Sequence, residues 1–339
     1  MEHAGFVRHA VGAALLLGGA VFLPALANDS SAELAVGGLV FTRSADVSME
    51  SEELKITPDI VSVRYRFRNQ TPNPVTLTVA FSLPDIDLSE AENFSFSTND
   101  PINFVGFETK VDGKPVKFTI HQQALLGGVD VSAKLRDIGA PLLPIGAQQL
   151  KLSELPQTTR DLMIAQGLLQ QSGANEKGQP LYDATWTVKT SFVRQQTFPP
   201  NRPVVVEHHY RTSLGVSFDT VLRKGLRLNK AMESEVQRYR TLYCIQDSFL
   251  AAIDKLGAAS DANIENLQER RIRYVLKTGA NWAGPIKDFK LVIDKGKPDY
   301  LVSFCGDNIA RISPTAFQIS AKNYTPNKDL GVLIVGRFH

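Results

Sequence analysis

The chain has 339 residues with 37 Lys and Arg against 35 Asp and Glu, a formal charge of +2, and 43% of its residues are hydrophobic while 21% are charged. That balance excludes a disordered charged tail, a collagen-like repeat and a disulfide-dense mini-scaffold, because a chain this long buries roughly 75% of its unfolded surface without cross-links. It also lacks the strong basic excess that supplies nucleic-acid affinity, and with one markedly apolar segment it is no polytopic membrane protein.

That apolar segment opens the sequence. Arg8 and His9 precede the run Ala10 to Leu23, and Pro24 and Ala25-Leu26-Ala27 stand ahead of Asn28. A basic start, an apolar run and small residues at a cleavage point make a secretory signal. The run of about 14 residues is too short for a membrane span, which needs roughly 20. Residues 1–27 are therefore expected to be removed near Ala27, leaving a periplasmic or secreted chain with no transmembrane segment. In an oxidising compartment Cys244 and Cys305 are expected to pair as a disulfide. No Cys-x-x-Cys spacing points to a redox role instead.

Strand signals begin downstream. Leu39 to Thr42 and Val47 to Ile56 read as a pair, and a bulge near Ser51 to Glu53 reconciles the parity of Val47 and Met49 with that of Leu54 and Ile56. Val61, Val63, Tyr65 and Phe67 alternate with Ser62, Arg64, Arg66 and Arg68, a strand with one buried face. After the turn cluster Asn69 to Pro74, Val75, Leu77, Val79 and Phe81 read as the returning strand of a hairpin. Asp112-Gly113 supplies the positive φ values of a tight turn between Val105 to Val111 and Val116 to Ile120, with Pro115 confining the second strand to an edge or a start.

The remaining segments complete one region from 28 to 339. Residues 28–138 form its N-terminal β part and 139–180 a helical excursion framed by Pro141, Pro144 and Pro156. Residues 181–228 hold a hairpin of Trp186 to Phe192 with Val204 to Tyr210, and 229–257 hold two helices, Lys230 to Leu242 and Asp247 to Gly257. Residues 258–339 return to strands, so the bridge ties the helices to the C-terminal sheet. Many short alternating strands imply a mainly β fold, an antiparallel β-sandwich of packed sheets with inserted helical segments.

The sequence also resembles a known family along its length. Asn28 to Phe41, Tyr65-Arg-Phe-Arg-Asn69 and Phe81-Ser-Leu-Pro84 carry the resemblance in the N-terminal part, and Gln196-Thr-Phe-Pro199, Val206-Glu-His-His-Tyr210, Tyr243-Cys244, Thr278 to Pro285 and Asp288-Phe289 carry it further on. These segments resemble the bacterial secreted family catalogued as domain of unknown function 4424. The resemblance implies an exported, mostly β protein of a Gram-negative cell and brings no catalytic residues with it.

Common catalytic motifs are missing: there is no Gly-x-Gly-x-x-Gly, P-loop, His-Glu-x-x-His, Gly-x-Ser-x-Gly or Ser-x-x-Lys. Beyond the leader only His121, His208, His209 and His339 remain. By strand parity His208 joins Val204, Val206 and Tyr210 on the apolar side, whereas His209 joins Glu207 and Arg211 outside. Asp85, Asp87, Glu90 and Glu92 crowd one loop with the hard oxygens that calcium prefers, although the regular spacing and Gly of a calcium loop are lacking. No other cofactor is expected. Arg64, Arg66 and Arg68 line one strand face, where they either meet an anionic ligand or pair with Glu50, Glu52 and Glu53 across the sheet. Asn281 and Trp282 lie in a glycine-flanked loop, where the indole either plugs the core or anchors a sugar, peptide or protein edge. The leading functional expectation is a non-catalytic envelope binding module for a protein or glycan partner. The alternative is an envelope hydrolase assembled around His208 and the helical excursion.

Overall fold

Alternation places the first long strands. In the computed structural model, which describes residues 29–35, 38–90, 94–96, 98–212, 214–258 and 267–337, the segment Ile60–Asn69 is a strand that buries Val61, Val63, Tyr65 and Phe67 and turns Arg64 and Arg66 to solvent. The expected leader lies outside the described residues. The next strand, Val75–Ser82, does not return alongside Ile60–Asn69 as a hairpin. It crosses to a second sheet, so the two apolar faces meet across the core.

The same correction applies further on. Thr187–Phe198 and Pro203–Arg211 belong to different sheets, the first paired with Val75–Ser82 and the second with Ile60–Asn69. Both connections are proline-bearing, Gln70 to Pro74 and Pro199 to Pro203. They arch between layers, where the chain needs no ladder hydrogen bonds from the connecting residues. Gly38–Phe41 likewise pairs with Ser30–Ala35, and Val47–Ile56 pairs with Ile60–Asn69, so these two segments are not partners. The bulge in Val47–Ile56 is present, one residue before the expected stretch, where the register shifts between Met49 and Ser51 around Glu50.

Among the described residues the strands form three larger sheets and one two-stranded sheet. The eight-stranded sheet runs Ala310–Arg311, Ala316–Tyr324, Ile286–Asp294, Val47–Ile56, Ile60–Asn69, Pro203–Arg211, Glu108–Val111 and Lys114–Pro115. One of its pairings, Ile286–Asp294 with Val47–Ile56, is parallel. The seven-stranded sheet runs Val129–Asp130, Thr119–Leu126, Thr187–Phe198, Val75–Ser82, Ser30–Ala35 and Gly38–Phe41, with Ile86–Asp87 also on Thr187–Phe198. The five-stranded sheet runs Leu301–Phe304, Leu330–Gly336, Gln268–Tyr274, Leu214–Ser217 and Phe94–Ser95. The two larger sheets face one another through aromatic rings: Phe67 meets Phe198 with centroids 5.7 Å apart, and Phe81 meets Tyr210 at 5.6 Å. A hydroxyl pair, Tyr65 with Tyr274 at 3.0 Å, joins the five-stranded sheet to that core.

The helical excursion begins earlier and ends sooner than the prolines suggest, with helices Ser132–Asp137, Ala147–Glu154 and Gln157–Ala165, then a hairpin of Leu169–Ala174 and Pro180–Ala184. Asp112 and Gly113 adopt the expected positive φ values of 49° and 77°. The later helices, Glu233–Tyr243 and Asp247–Ala258, cover the outer side of Leu330–Gly336 through Tyr239, Tyr243 and Ile253 against Leu333 and Val335. That strand is buried throughout because its other face, Val332 and Ile334, belongs to the main core. No helix among the described residues is long and apolar enough to cross a membrane.

Cys244 and Cys305 form the disulfide, spanning 61 residues and fastening the end of Glu233–Tyr243 to Leu301–Phe304. Closing a loop of that length removes about 4 kcal/mol of chain entropy from the unfolded state. Replacing both cysteines by serine is expected to lower unfolding free energy by up to that amount with the fold retained, read from denaturant midpoints of the two proteins.

Candidate functional site

Two places concentrate charged and polar side chains: a buried seat between the sheets and the open face of the eight-stranded sheet. The seat is built around the first described residue. Asp29 is fully buried, and its Oδ2 accepts from Arg194 Nη2 at 2.7 Å. Trp282 Nε1 donates to the Asp29 carbonyl at 2.6 Å, and Asn281 Nδ2 donates to Ser30 Oγ at 2.9 Å. Ser30 and Ser31 then continue as strand, in register with Ala80 and Val79.

His208 closes the seat from the opposite sheet, its Nε2 3.0 Å from Asp29 Oδ1. The approach is close but poorly aligned, so neither ring nitrogen makes a well-directed hydrogen bond. Phe81 and Phe107 flank the imidazole with centroids at 4.9 and 5.0 Å, and Tyr65 meets it edge-on at 5.7 Å. Burial pushes the Asp29 carboxyl up, but the Arg194 guanidinium and His208 beside it more than reverse this and hold it well below the usual carboxylate range. Burial pushes the His208 imidazole down, and Asp29 restores only part of the loss, so the ring is neutral at pH 7.

These contacts settle several expectations from the sequence. His208 faces inward and His209 outward, as parity requires. His208 is sealed in the core with no path for substrate, so a hydrolase built on it loses its general base. Trp282 is 1% exposed and packs on Phe67 at 4.6 Å and Phe198 at 5.9 Å, so it plugs the core and is no surface anchor. Asn281 is spent on Ser30. Asp29 and Arg194 were not singled out, although Arg194 carried a signal: it is a charge in the same strand phase as the buried Val188, Phe192 and Phe198.

Each arginine of the row is paired with an acid on a neighbouring strand, two of them with one carboxylate. Arg66 reaches Glu50 at 2.9 Å, Arg68 pairs with the same carboxylate, and Arg64 lies 3.3 Å from Glu207. Glu50 serves two arginines because the bulge brings it to the outer face. Glu52, expected as a partner, points into the core instead.

In the loop of candidate calcium ligands, Asp85 lies 3.7 Å from Lys189, and Asp87 accepts from Ser89 N at 3.0 Å and Ser89 Oγ at 2.6 Å. Glu92 lies outside the described residues. No cluster of three His, Cys, Asp or Glu able to hold a metal occurs among the described residues.

The open face is a groove of about 570 Å³ across the centre of the eight-stranded sheet. Strand register sets its walls in rows. One row reads Lys290, Glu53, Arg64, Glu207 and Lys110; the next reads Lys55, Ser62, His209 and Glu108. Ser62 Oγ and His209 Nδ1 are 3.1 Å apart. Arg64 is paired with Glu207, but among the described residues Lys55, Lys110 and Lys290 make no ion pair. A second trough of about 720 Å³ adjoins it and shares Glu53 and Lys290. Ser62 and His209 sit in mid-sheet strands, where the surrounding backbone N–H groups serve the ladders and none converges as an oxyanion hole.

The family described as Domain of unknown function (DUF4424) matches residues 27–333, nearly the whole sequence, and the chain belongs to it. No curated protein matches it. Among solved structures, a Legionella pneumophila protein described as a candidate nutrient binding protein is 13% identical, with a TM-score of 0.45 over 91% of this chain and 70% of that one. An M1 zinc metallopeptidase from Deinococcus radiodurans is 8% identical with a TM-score of 0.27, over 87% of this chain and 43% of that one. The chain thus spans less than half the length of the metallopeptidase. Neither likeness carries a site or an activity over.

Two measurements test the seat. Replacing Asp29 by Asn leaves Arg194 buried without its counter-charge, which is expected to cost about 3–5 kcal/mol in denaturant unfolding. The second concerns pH. With its folded pKa depressed below 6.5, His208 stays neutral in the native state while the unfolded chain takes up a proton. Stability is therefore expected to fall as pH drops below about 6.5, and His208→Gln to flatten that part of the profile.

Proposed function

We propose that this member of the family is a non-catalytic binding module of the cell envelope, exported behind the leader that ends near Ala27, with the open face of its eight-stranded sheet as the ligand surface. The observation that carries this reading is the groove of about 570 Å³ lined by three lysines that have no ion-pair partner among the described residues. Helices cover the five-stranded sheet, yet this face offers charge at regular intervals. Neighbouring strands lie about 4.8 Å apart and same-face residues along a strand about 7 Å apart. A ligand spanning two rows meets both cations and carboxylates, which suits a charged protein surface or an acidic glycan. Ser62 and His209 add a hydroxyl and an imidazole at the centre.

Immobilised mature protein tests the surface on envelope extract. The double reversal Lys55→Glu, Lys290→Glu is expected to reduce recovery of the retained component at least about tenfold, with an unchanged melting temperature because both residues are exposed. Equal recovery by the reversed protein would place binding elsewhere.

A further inference from the structure

The Asp29 seat is a complete carboxylate receptor, and its parts come from distant stretches of chain. Arg194 belongs to Thr187–Phe198, His208 to Pro203–Arg211, and Asn281 and Trp282 to the turn following Gln268–Tyr274. The N-terminal residues are synthesised first, yet their seat exists only once residues up to Trp282 have folded. The first segment made is the last to dock.

Asp29 also lies beside the expected cleavage point. Only Asn28 separates it from Ala27, and only Pro24 to Asn28 separate it from the apolar run. Fully extended, those five residues reach about 18 Å. A folded domain of this size has a radius of gyration of about 20 Å. Both Asp29 and Ser30 are 0% exposed, so the carboxylate must travel into the interior between two sheets.

We propose that this receptor is a site for the mature chain start: it takes the Asp29 carboxylate only after the leader is cut behind Ala27, so that processing locks the two sheets together. The proposal rests on the leader reading of the proposed function, but not on the ligand groove. While the apolar run stays in the bilayer, its short tether keeps Asp29 near the membrane surface, and the receptor waits with the Arg194 charge uncompensated. Cleavage frees the tether and the seat fills. The locked fold is thereby confined to processed molecules.

Spheroplasts with added protease provide the test, comparing the mature protein with a precursor whose cleavage is blocked by Ala25→Arg and Ala27→Arg, each with and without Asp29→Asn. The mature protein is expected to outlast the blocked precursor at least about tenfold, since an unpaired buried charge raises the population of open molecules by more than that. Asp29→Asn should shorten the life of the mature protein to that of the precursor and leave the precursor within about twofold of its own value. Twelve Gly and Ser residues inserted between Ala27 and Asn28 should restore resistance to the blocked precursor, and this variant decides the matter if the mature Asp29→Asn chain does not fold. A precursor as resistant as the mature protein, equal losses on Asp29→Asn in both forms, or no rescue by the insertion would each overturn the proposal. N-terminal sequencing of the released protein separates the two readings: a start other than Asn28 refutes the cleavage point itself, whatever the proteolysis shows.

Discussion

The carboxylate of Asp29 is the constraint around which the molecule is arranged. A charge between two apolar sheets is tolerable only when it is paired and hydrogen-bonded. Here the partners approach from different layers, Arg194 from the seven-stranded sheet and His208 from the eight-stranded one. That geometry needs Thr187–Phe198 and Pro203–Arg211 to face each other across the core. A hairpin would have laid them side by side in one sheet, with Arg194 and His208 unable to grip one carboxylate from both sides. The arch at Pro199 to Pro203 is thus coupled to the ion pair.

Trp282 extends the constraint to the C-terminal half. Its indole N–H holds the Asp29 carbonyl while its ring fills the space beside Phe67 and Phe198. One side chain satisfies a buried backbone acceptor and completes the aromatic layer, which explains a large residue in a loop bounded by small ones. Ser44 N donates to the Asn281 carbonyl at 2.8 Å, and Ala283 N to the Val47 carbonyl at 2.9 Å, so the same loop also fixes the entry to Val47–Ile56. The start of the chain, the centre of the eight-stranded sheet and the loop after Gln268–Tyr274 are held as one unit.

Much of this was legible from alternation, which is local. Val61 to Phe67 and Val204 to Tyr210 gave strand positions and faces, and the inward His208 followed from parity alone. Partner choice was not legible, because a proline-rich connection looks the same whether it closes a hairpin or arches to the other layer. The seat was hidden for a different reason. Asn28-Asp29-Ser30-Ser31 is polar and reads as surface, so only the charge of Arg194 in a buried phase hinted at an internal partner. The groove shares the difficulty of partner choice: outward Ser62, Arg64 and His209 were readable, but Lys290 and Glu108 joined them only through the parallel pairing and the short Glu108–Val111 strand.

The open face differs from one kept merely soluble in how its cations are used. Arginine has a rigid fork suited to carboxylates, and the outward arginines of Ile60–Asn69 are each matched with an acid. Lysine is a flexible, strongly hydrated point charge, and among the described residues the three lysines of the groove have no such partners. The sheet therefore fixes its own charge pattern with arginine and leaves movable charge on top. Its edges are closed by two-residue strands, one of which contains Pro115 and so lacks a backbone donor. Edge pairing with another chain is thereby discouraged while the face stays open. A chain with a formal charge of only +2 in this way carries exposed charge of both signs, lysines among carboxylates, on one face without the general basicity that would attract every polyanion.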